Sequence, residues 1–491
     1  MSDSPAAEGP ISATTLGAVR GRHRRGVELY AGIPYAAPPH GAARFQPPRP
    51  AESWSGVRDA VRFSPAAPQL PGEGLTNSVA IAWDEAACLT VNVTTPAADG
   101  AGRPVLVWIH GGDFKNGTGA TPWYDGTAFA ANGDVVVVSL NYRLGAFGFC
   151  RLDDAPSSGV LGLLDQLAAL EWVQHNISSF GGDPSRVTVA GESAGAFSVA
   201  SLLAMPEATG LFQQAIIQSG GGHHVHTHDD ARAVTAMLHD EAATDDLRSL
   251  DADRLLAAQQ RVQARSASEL GLTMSPFYPS VGGEHLHTRP IDLVAAGASA
   301  DIPVLIGTNA DEASLFGVGA VTHDRLSSWV GRFHADPAAV IDVYRRSRPN
   351  ASAGELAVAI STDWTFRVPS IELADGRAPS PTWMYLFDWK SRAFDGALGA
   401  THALEIPFVF DNLDRPGVDA FLGPGPPPQH VADAMHACWT SFIHRGDPSA
   451  DGVPDWPAYR SDDRCVLVFG DECAVVSDPD ADERAVWVGV R

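Results

Sequence analysis

The stretch Val187-Thr-Val-Ala-Gly-Glu-Ser-Ala-Gly-Ala-Phe197 decides how this chain is read. Its β-branched start predicts a strand over 187–190 and its small-residue end opens a helix. Between them Gly191-Glu192-Ser193-Ala194-Gly195 forms a G-x-S-x-G turn, the pattern of a nucleophile elbow. A serine on a strand-to-helix turn sits in a strained backbone, so its neighbours must be small, and Gly191 and Gly195 supply that room. The helix N-terminus beneath Ser193 favours negative charge. In a chain with 48 glycines the pentapeptide alone is weak, and its weight comes from the strand before it, the helix after it and partners elsewhere.

Other buried strands are predicted on both sides of the elbow. Val105-Leu-Val-Trp-Ile109 and Val135-Val-Val-Val-Ser-Leu140 precede it; Ala215-Ile-Ile-Gln-Ser219, Val304-Leu-Ile-Gly307, Trp383-Met-Tyr-Leu-Phe387 and Val466-Leu-Val-Phe469 follow. Such short apolar runs suit a central sheet covered on both faces. Leu163, Leu167, Leu170, Val173 and Ile177 recur at helical spacing and predict a helix against that sheet; a second is predicted over 430–444. A hairpin is expected over 14–36, with Gly21-Arg-His-Arg-Arg-Gly26 as its solvated turn. Alternating strands and helices imply a mostly parallel α/β sheet in one domain over 1–491. Helix-rich, alanine-rich stretches at roughly 229–300 and 323–378 would form a cap beside the site.

Bulk properties exclude several classes. Net charge is −24, and Lys115 and Lys390 are the only lysines, which argues against nucleic acid and anionic membranes as partners. No apolar run is long enough to span a bilayer. Residues 1–8 carry no basic or apolar segment of a secretory signal. The five cysteines are odd in number and lack metal-ligand spacing, so free thiols in a reducing cytoplasm are expected.

An elbow serine needs an acid and a base, which in this architecture follow it in that order. Asp311 and Glu312, in the loop after the strand at Val304, both qualify as the acid on spacing, and His402 is the candidate base among 17 histidines. Backbone N–H groups must converge on the oxyanion. Ala194, following the nucleophile, supplies one, and the loop His110-Gly-Gly-Asp-Phe-Lys-Asn-Gly117 lies where the others are needed. The histidines of His223-His-Val-His-Thr-His228 read as a solvated or pocket-lining loop rather than a zinc site.

Together these motifs resemble the type-B carboxylesterases, the family of bacterial para-nitrobenzyl esterases and animal cholinesterases. The resemblance runs from Gly32-Ile-Pro-Tyr-Ala36 through Cys88-Leu-Thr-Val-Asn-Val93, His110-Gly-Gly-Asp-Phe114, Asn141-Tyr-Arg-Leu-Gly145 and the elbow. It continues through Asp311-Glu312 and His402-Ala-Leu-Glu-Ile-Pro-Phe408 to Trp456-Pro457. It implies an α/β-hydrolase fold with helical cap insertions and a serine esterase acting on neutral small-molecule esters without cofactor or metal. It implies Glu312 as the acid, His402 as the base, Gly112, Asp113 and Ala194 as oxyanion donors, and Arg143–Asp165 as a structural pair. Amide, lactone or carbamate hydrolysis on the same triad, or a non-catalytic interaction module, are the rival readings.

The chain departs from the family in places. Asp113 stands where a glycine or alanine is usual, so its carboxylate should point away from the oxyanion. Ala67 stands opposite Cys88 where secreted members form a disulfide, which therefore cannot form. Glu85-Ala-Ala replaces the Ser-Glu-Asp whose carboxylate pairs with Arg44, leaving open whether Glu85 takes its place. Trp83 lies closer to Cys88 than the choline-binding tryptophan does, so no cation site is inferred.

Overall fold

The computed structural model describes residues 9–72, 81–270, 275–317 and 321–490. Among them run fourteen strands: β1 Ile11–Thr14, β2 Gly17–Arg20, β3 Arg22–Arg24, β4 Val27–Pro34, β5 Val57–Asp59, β6 Thr90–Thr95, β7 Arg103–Ile109, β8 Val136–Leu140, β9 Gly182–Glu192, β10 Gln214–Gln218, β11 Val304–Asn309, β12 Thr382–Phe387, β13 Cys465–Phe469 and β14 Cys473–Ser477. Eleven form one sheet in the order β14-β13-β12-β11-β10-β9-β7-β8-β6-β4-β3, and β1, β2 and β5 form a small second one. From β13 to β8 every neighbouring pair is parallel, while β14 at one end and β6, β4 and β3 at the other run antiparallel. This is an α/β-hydrolase sheet, with β9 next to β7 and β10.

The apolar runs become these central strands because both faces are covered. β8, β10 and β11 are buried almost throughout, and the helices Leu161–Asn176 and Gln429–Arg445 belong to separate hydrophobic clusters. The elbow strand is longer than predicted, running eleven residues from Gly182; the first predicted helix begins two residues earlier than expected and ends at Asn176, and the second extends by one residue at each end. The stretch 229–300 carries helices His228–Ala242, Ala252–Glu269 and Pro290–Ala295. The stretch 323–378 carries four α-helices, two of them joined by a π-helical turn at Asp363–Arg367.

One expected element is corrected. The basic segment 21–26 is not a single turn: Arg22–Arg24 is β3, an edge strand paired with β4 through the two-residue turn Arg25-Gly26. Gly21 instead separates two sheets, and a Cβ there would lie 2.7 Å from the Leu29 carbonyl oxygen. Alternating charges suit a sheet edge, which resists pairing with other chains, and they read as a loop from sequence alone.

A buried ion pair ties the chain behind the site. The Arg143 guanidinium donates twice to Asp165 at 2.7 Å, Arg143 N donates at 3.0 Å, and both side chains are sequestered from water. Arg44 donates through Nε and Nη2 to Glu85 at 2.6 Å each, so Glu85 does serve as its partner. All five cysteines are free. Removing one member of a fully buried pair strands the other charge. Arg143→Ala is therefore expected to lower unfolding stability by about 3–5 kcal/mol, measured by urea denaturation; a loss below about 1 kcal/mol would mean that water reaches Asp165.

Candidate active site

The site is built at the carboxyl ends of the parallel strands, where an open α/β sheet gathers its loops. Ser193 follows β9 and precedes the helix Ala194–Ala204, with φ 54° and ψ −123°. A side-chain-bearing residue in this region is strained. The strain is held by crowding: a Cβ on Gly195 would lie 2.0 Å from the Ile109 carbonyl oxygen, and one on Gly191 would lie 2.4 Å from Gly195 C. Ser193 N donates to the Gln218 carbonyl at 2.9 Å, which fixes the turn to β10.

Because β7 pairs with β9, the loop after β7 passes directly over the elbow. A Cβ on Gly111 would be 3.1 Å from Ser193 Cβ. Gly112, Asp113 and Phe114 all have positive φ. Among the described residues the backbone N–H groups of Gly112, Asp113 and Ala194 donate to no acceptor. The Asp113 carboxylate accepts from the Tyr278 hydroxyl at 2.6 Å and lies 2.9 Å from Lys115 Nζ.

The two acid candidates are separated by geometry. Glu312 is fully buried; its Oε2 lies 2.6 Å from His402 Nδ1, and its Oε1 accepts from Asn309 N at 2.8 Å. Asp311 instead serves the loop: its Oδ2 accepts from Lys390 Nζ at 2.6 Å and from Ala400 N at 2.8 Å. With Nδ1 directed at Glu312, the other ring nitrogen, Nε2, lies 3.1 Å from Glu192 Oε1. Among the described residues no hydrogen bond reaches the Ser193 hydroxyl, and the group beside His402 Nε2 belongs to Glu192, the residue before the serine. The rings of Phe366 and Phe316 pack beside the imidazole at 4.7 and 5.4 Å between centroids.

Sequence reasoning gave Glu405, Gln218 and Asn309 no part. Glu405 is wholly buried and accepts from Gln218 Nε2 at 3.0 Å and Asn309 Nδ2 at 2.6 Å, and Trp439 Nε1 donates to Gln218 at 3.0 Å. Its signal was the fixed spacing of three residues from His402 within one motif. The histidine stretch 223–228 is not solvated throughout: His224 stacks on Phe197 and His226 bonds the Ser275 carbonyl, both buried. Among the described residues no group of His, Cys, Asp and Glu side chains is arranged to hold a metal ion.

A single-family model, the carboxylesterase family, matches residues 8–487, nearly the whole chain. The chain belongs to the carboxylesterase family. It is 39% identical over 489 residues to a para-nitrobenzyl esterase of Bacillus subtilis (strain 168), covering 96% of this chain and 97% of that protein. It is 37% identical to a phenmedipham hydrolase of Pseudarthrobacter oxydans, covering 95% and 96%. A crystal structure of a Geobacillus stearothermophilus carboxylesterase at pH 6.2 superposes with TM-score 0.87 at 40% identity, over 97% of this chain and 99% of that one. The family assignment makes this chain a carboxylic ester hydrolase of the α/β-hydrolase fold.

Electrostatics in the site follow from burial of several acids around one imidazole. Burial raises the Glu192 carboxyl to about 8, and burial with the nearby Glu312 raises Glu405 to about 7. Burial alone would lower the His402 pKa, but Glu192 and Glu312 at its two nitrogens outweigh that and push it up to about 9. Both shifts favour holding a proton between Glu192 and His402, and its loss frees Nε2. If His402 acts as a base, kcat/KM should rise with pH along a limb above the ordinary histidine value of about 6.5. Glu192→Gln removes an anion that favours the imidazolium, so the limb should move toward acid; a limb unmoved in the variant would show that Glu192 does not set the imidazole's charge.

Proposed function

We propose that Ser193 is the nucleophile, His402 the general base and acid, and Glu312 the carboxylate that orients it. Ser193 Oγ attacks the ester carbonyl while His402 Nε2 takes its proton. Glu312 fixes Nδ1–H and stabilises the imidazolium. The N–H groups of Gly112, Asp113 and Ala194 stabilise the tetrahedral oxyanion. His402 then protonates the departing alcohol, leaving an acyl-enzyme, and water repeats the sequence to release the acid. The observation that carries this reading is the imidazole clasped between Glu312 and the elbow, beneath a loop in which, among the described residues, the Gly112 and Asp113 N–H groups have no acceptor. No step uses a cofactor or metal.

The finer assignments belong to the same proposal. The helical stretches 229–300 and 323–378 act as a cap within a single domain, since Tyr278 and Phe366 bring them to the oxyanion loop and to His402. Five free cysteines favour a reducing, cytoplasmic setting in a bacterium. The preferred substrates are neutral esters, because a net charge of −24 repels approaching anions.

Ser193→Ala should abolish ester turnover, a loss of about 10⁶ in kcat for a residue acting as part of a triad. Turnover of a p-nitrophenyl ester within 100-fold of wild type, or a serine-directed phosphonate that fails to label Ser193, would reject the mechanism. Between a neutral diester and its monoacid, kcat/KM should favour the diester, and the gap should narrow as salt screens the repulsion. Preference for the monoacid at low ionic strength would mean that cap arginines line the cleft.

A further inference from the structure

Asp113 is the residue where this chain leaves its family's pattern inside the reactive loop, and it sits at an awkward place. Asp113 and Phe114 occupy the left-handed region in succession, with φ 56° and 54°. Such residues are strained relative to ordinary backbone. The loop, the Gly112–Asp113 peptide included, is held by its main chain. Lys115 N and Asn116 N both donate to the Gly112 carbonyl at 3.0 Å, Gly145 N donates to the Phe114 carbonyl at 2.6 Å, and Phe114 is fully buried. Gln69 ties down Gly117 from both sides, donating to its carbonyl and accepting from its N–H. Asp113 itself is held through its side chain, by the Tyr278 hydroxyl on Oδ1 and Lys115 on Oδ2.

We propose that Tyr278 is a positioning residue: its hydroxyl latches the Asp113 carboxylate outward, away from the oxyanion that the N–H of the same residue faces. The proposal rests on the reading of that N–H as an oxyanion donor. Tyr278 suits the task because it is buried and immobilised between the two elements that supply the donors. Its ring meets Phe114 of the loop edge-on at 5.1 Å and Phe197 of the elbow helix at 6.1 Å, and Phe197 is backed by the stacked His224. Burial, then the adjacent Asp113 charge, hold the phenol far above its ordinary pKa, so it donates at every working pH. A hydroxyl-to-carboxylate bond is charge-assisted and stronger than a neutral one. Lys115 is 40% exposed, so its ion pair adds little rigidity and chiefly offsets charge. The latch turns a carboxylate away from a growing negative charge that it would otherwise repel. Without it, the carboxylate is free to swing toward the hole, while the Gly112–Asp113 peptide stays fixed by the two bonds to its carbonyl.

Tyr278→Phe keeps the ring packing and removes only the hydroxyl. With a p-nitrophenyl ester we expect kcat to fall about tenfold with KM within twofold, since the released carboxylate opposes charge that develops only in the transition state. A trifluoromethyl ketone gives a second readout. Ser193 Oγ bonds to its carbonyl carbon, the C=O π pair becomes the oxyanion, and the serine proton passes to His402. Its affinity should weaken in the same proportion. In an Asp113→Gly background, adding Tyr278→Phe should cause no further loss, because the latch has nothing to hold. Unchanged kcat and ketone affinity in Tyr278→Phe would overturn the proposal. So would an equal loss in the Asp113→Gly background, which would make the hydroxyl's role one of packing. If the ketone binds Ser193→Ala as tightly as wild type, the oxyanion reading falls and the latch falls with it.

Discussion

The whole site depends on two backbone segments approaching closer than any side chain permits. The helix that follows Ser193 presses against the end of β7 so tightly that a methyl group on Gly195 would meet the Ile109 carbonyl at 2.0 Å. That contact does three things together. It holds Ser193 at a positive φ, aims the first N–H groups of the helix upward, and brings the loop after β7 over the serine. The proposed oxyanion donors and the proposed nucleophile come from different parts of the chain, and this one steric constraint brings them together. Catalytic geometry here is a property of packing before it is a property of any reactive group.

The second constraint is electrostatic. Three carboxylates, Glu192, Glu312 and Glu405, are buried around His402, and a buried charge is costly unless it is paired or hydrogen-bonded. Glu405 accepts from Gln218 and Asn309, and Gln218 is in turn held by Trp439. Glu312 accepts from the Asn309 backbone and from the imidazole. Glu192 has His402 alone among the described residues. The unevenness is informative. The hydrogen-bonded acids behind the ring stay fixed, whereas the Glu192–His402 contact is the one that a change of protonation can loosen. A site that must move one proton per step gains from having its adjustable contact at Nε2, the atom that faces the chemistry.

Most of this was legible in the sequence, for reasons that differ by residue. The central strands announce themselves because a doubly covered parallel sheet needs continuous apolar runs, and the elbow does so because crowding demands glycine at fixed positions. The choice between Asp311 and Glu312 was open on spacing and closed by the family resemblance; in space one carboxylate meets the ring and the other the Ala400 peptide. Segment 21–26 misled because an exposed edge strand carries the charge pattern of a turn. Gln218 and Asn309 were silent because polar residues at strand ends look like loop residues until their partner Glu405, 187 and 96 positions away, is brought to them. The histidines at 224 and 226 were left between a solvated and a pocket-lining loop, and they are buried: imidazole is amphipathic, and stacking on Phe197 buries it as readily as water solvates it.

The departures from the family pattern follow a common logic. A substitution at a constrained position survives when the fold already offers a group of the right chemistry within reach. Glu85 stands in for the missing acid because Arg44 is long enough to meet it bidentately at 2.6 Å, so the ion pair is kept although its sequence position has shifted. Cys88 loses its disulfide partner to Ala67, and the thiol remains as an apolar filler with its pKa raised by burial, which a reducing compartment tolerates. Asp113 brings a charge and a Cβ into a loop that prefers neither, and the cost is met by a phenol and an ammonium on the far side. In each case the backbone contribution of the position is preserved while the side chain is accommodated separately. This holds because the reaction asks only for an N–H at 113, so what varies there is constrained by where the carboxylate can be stored rather than by the chemistry itself.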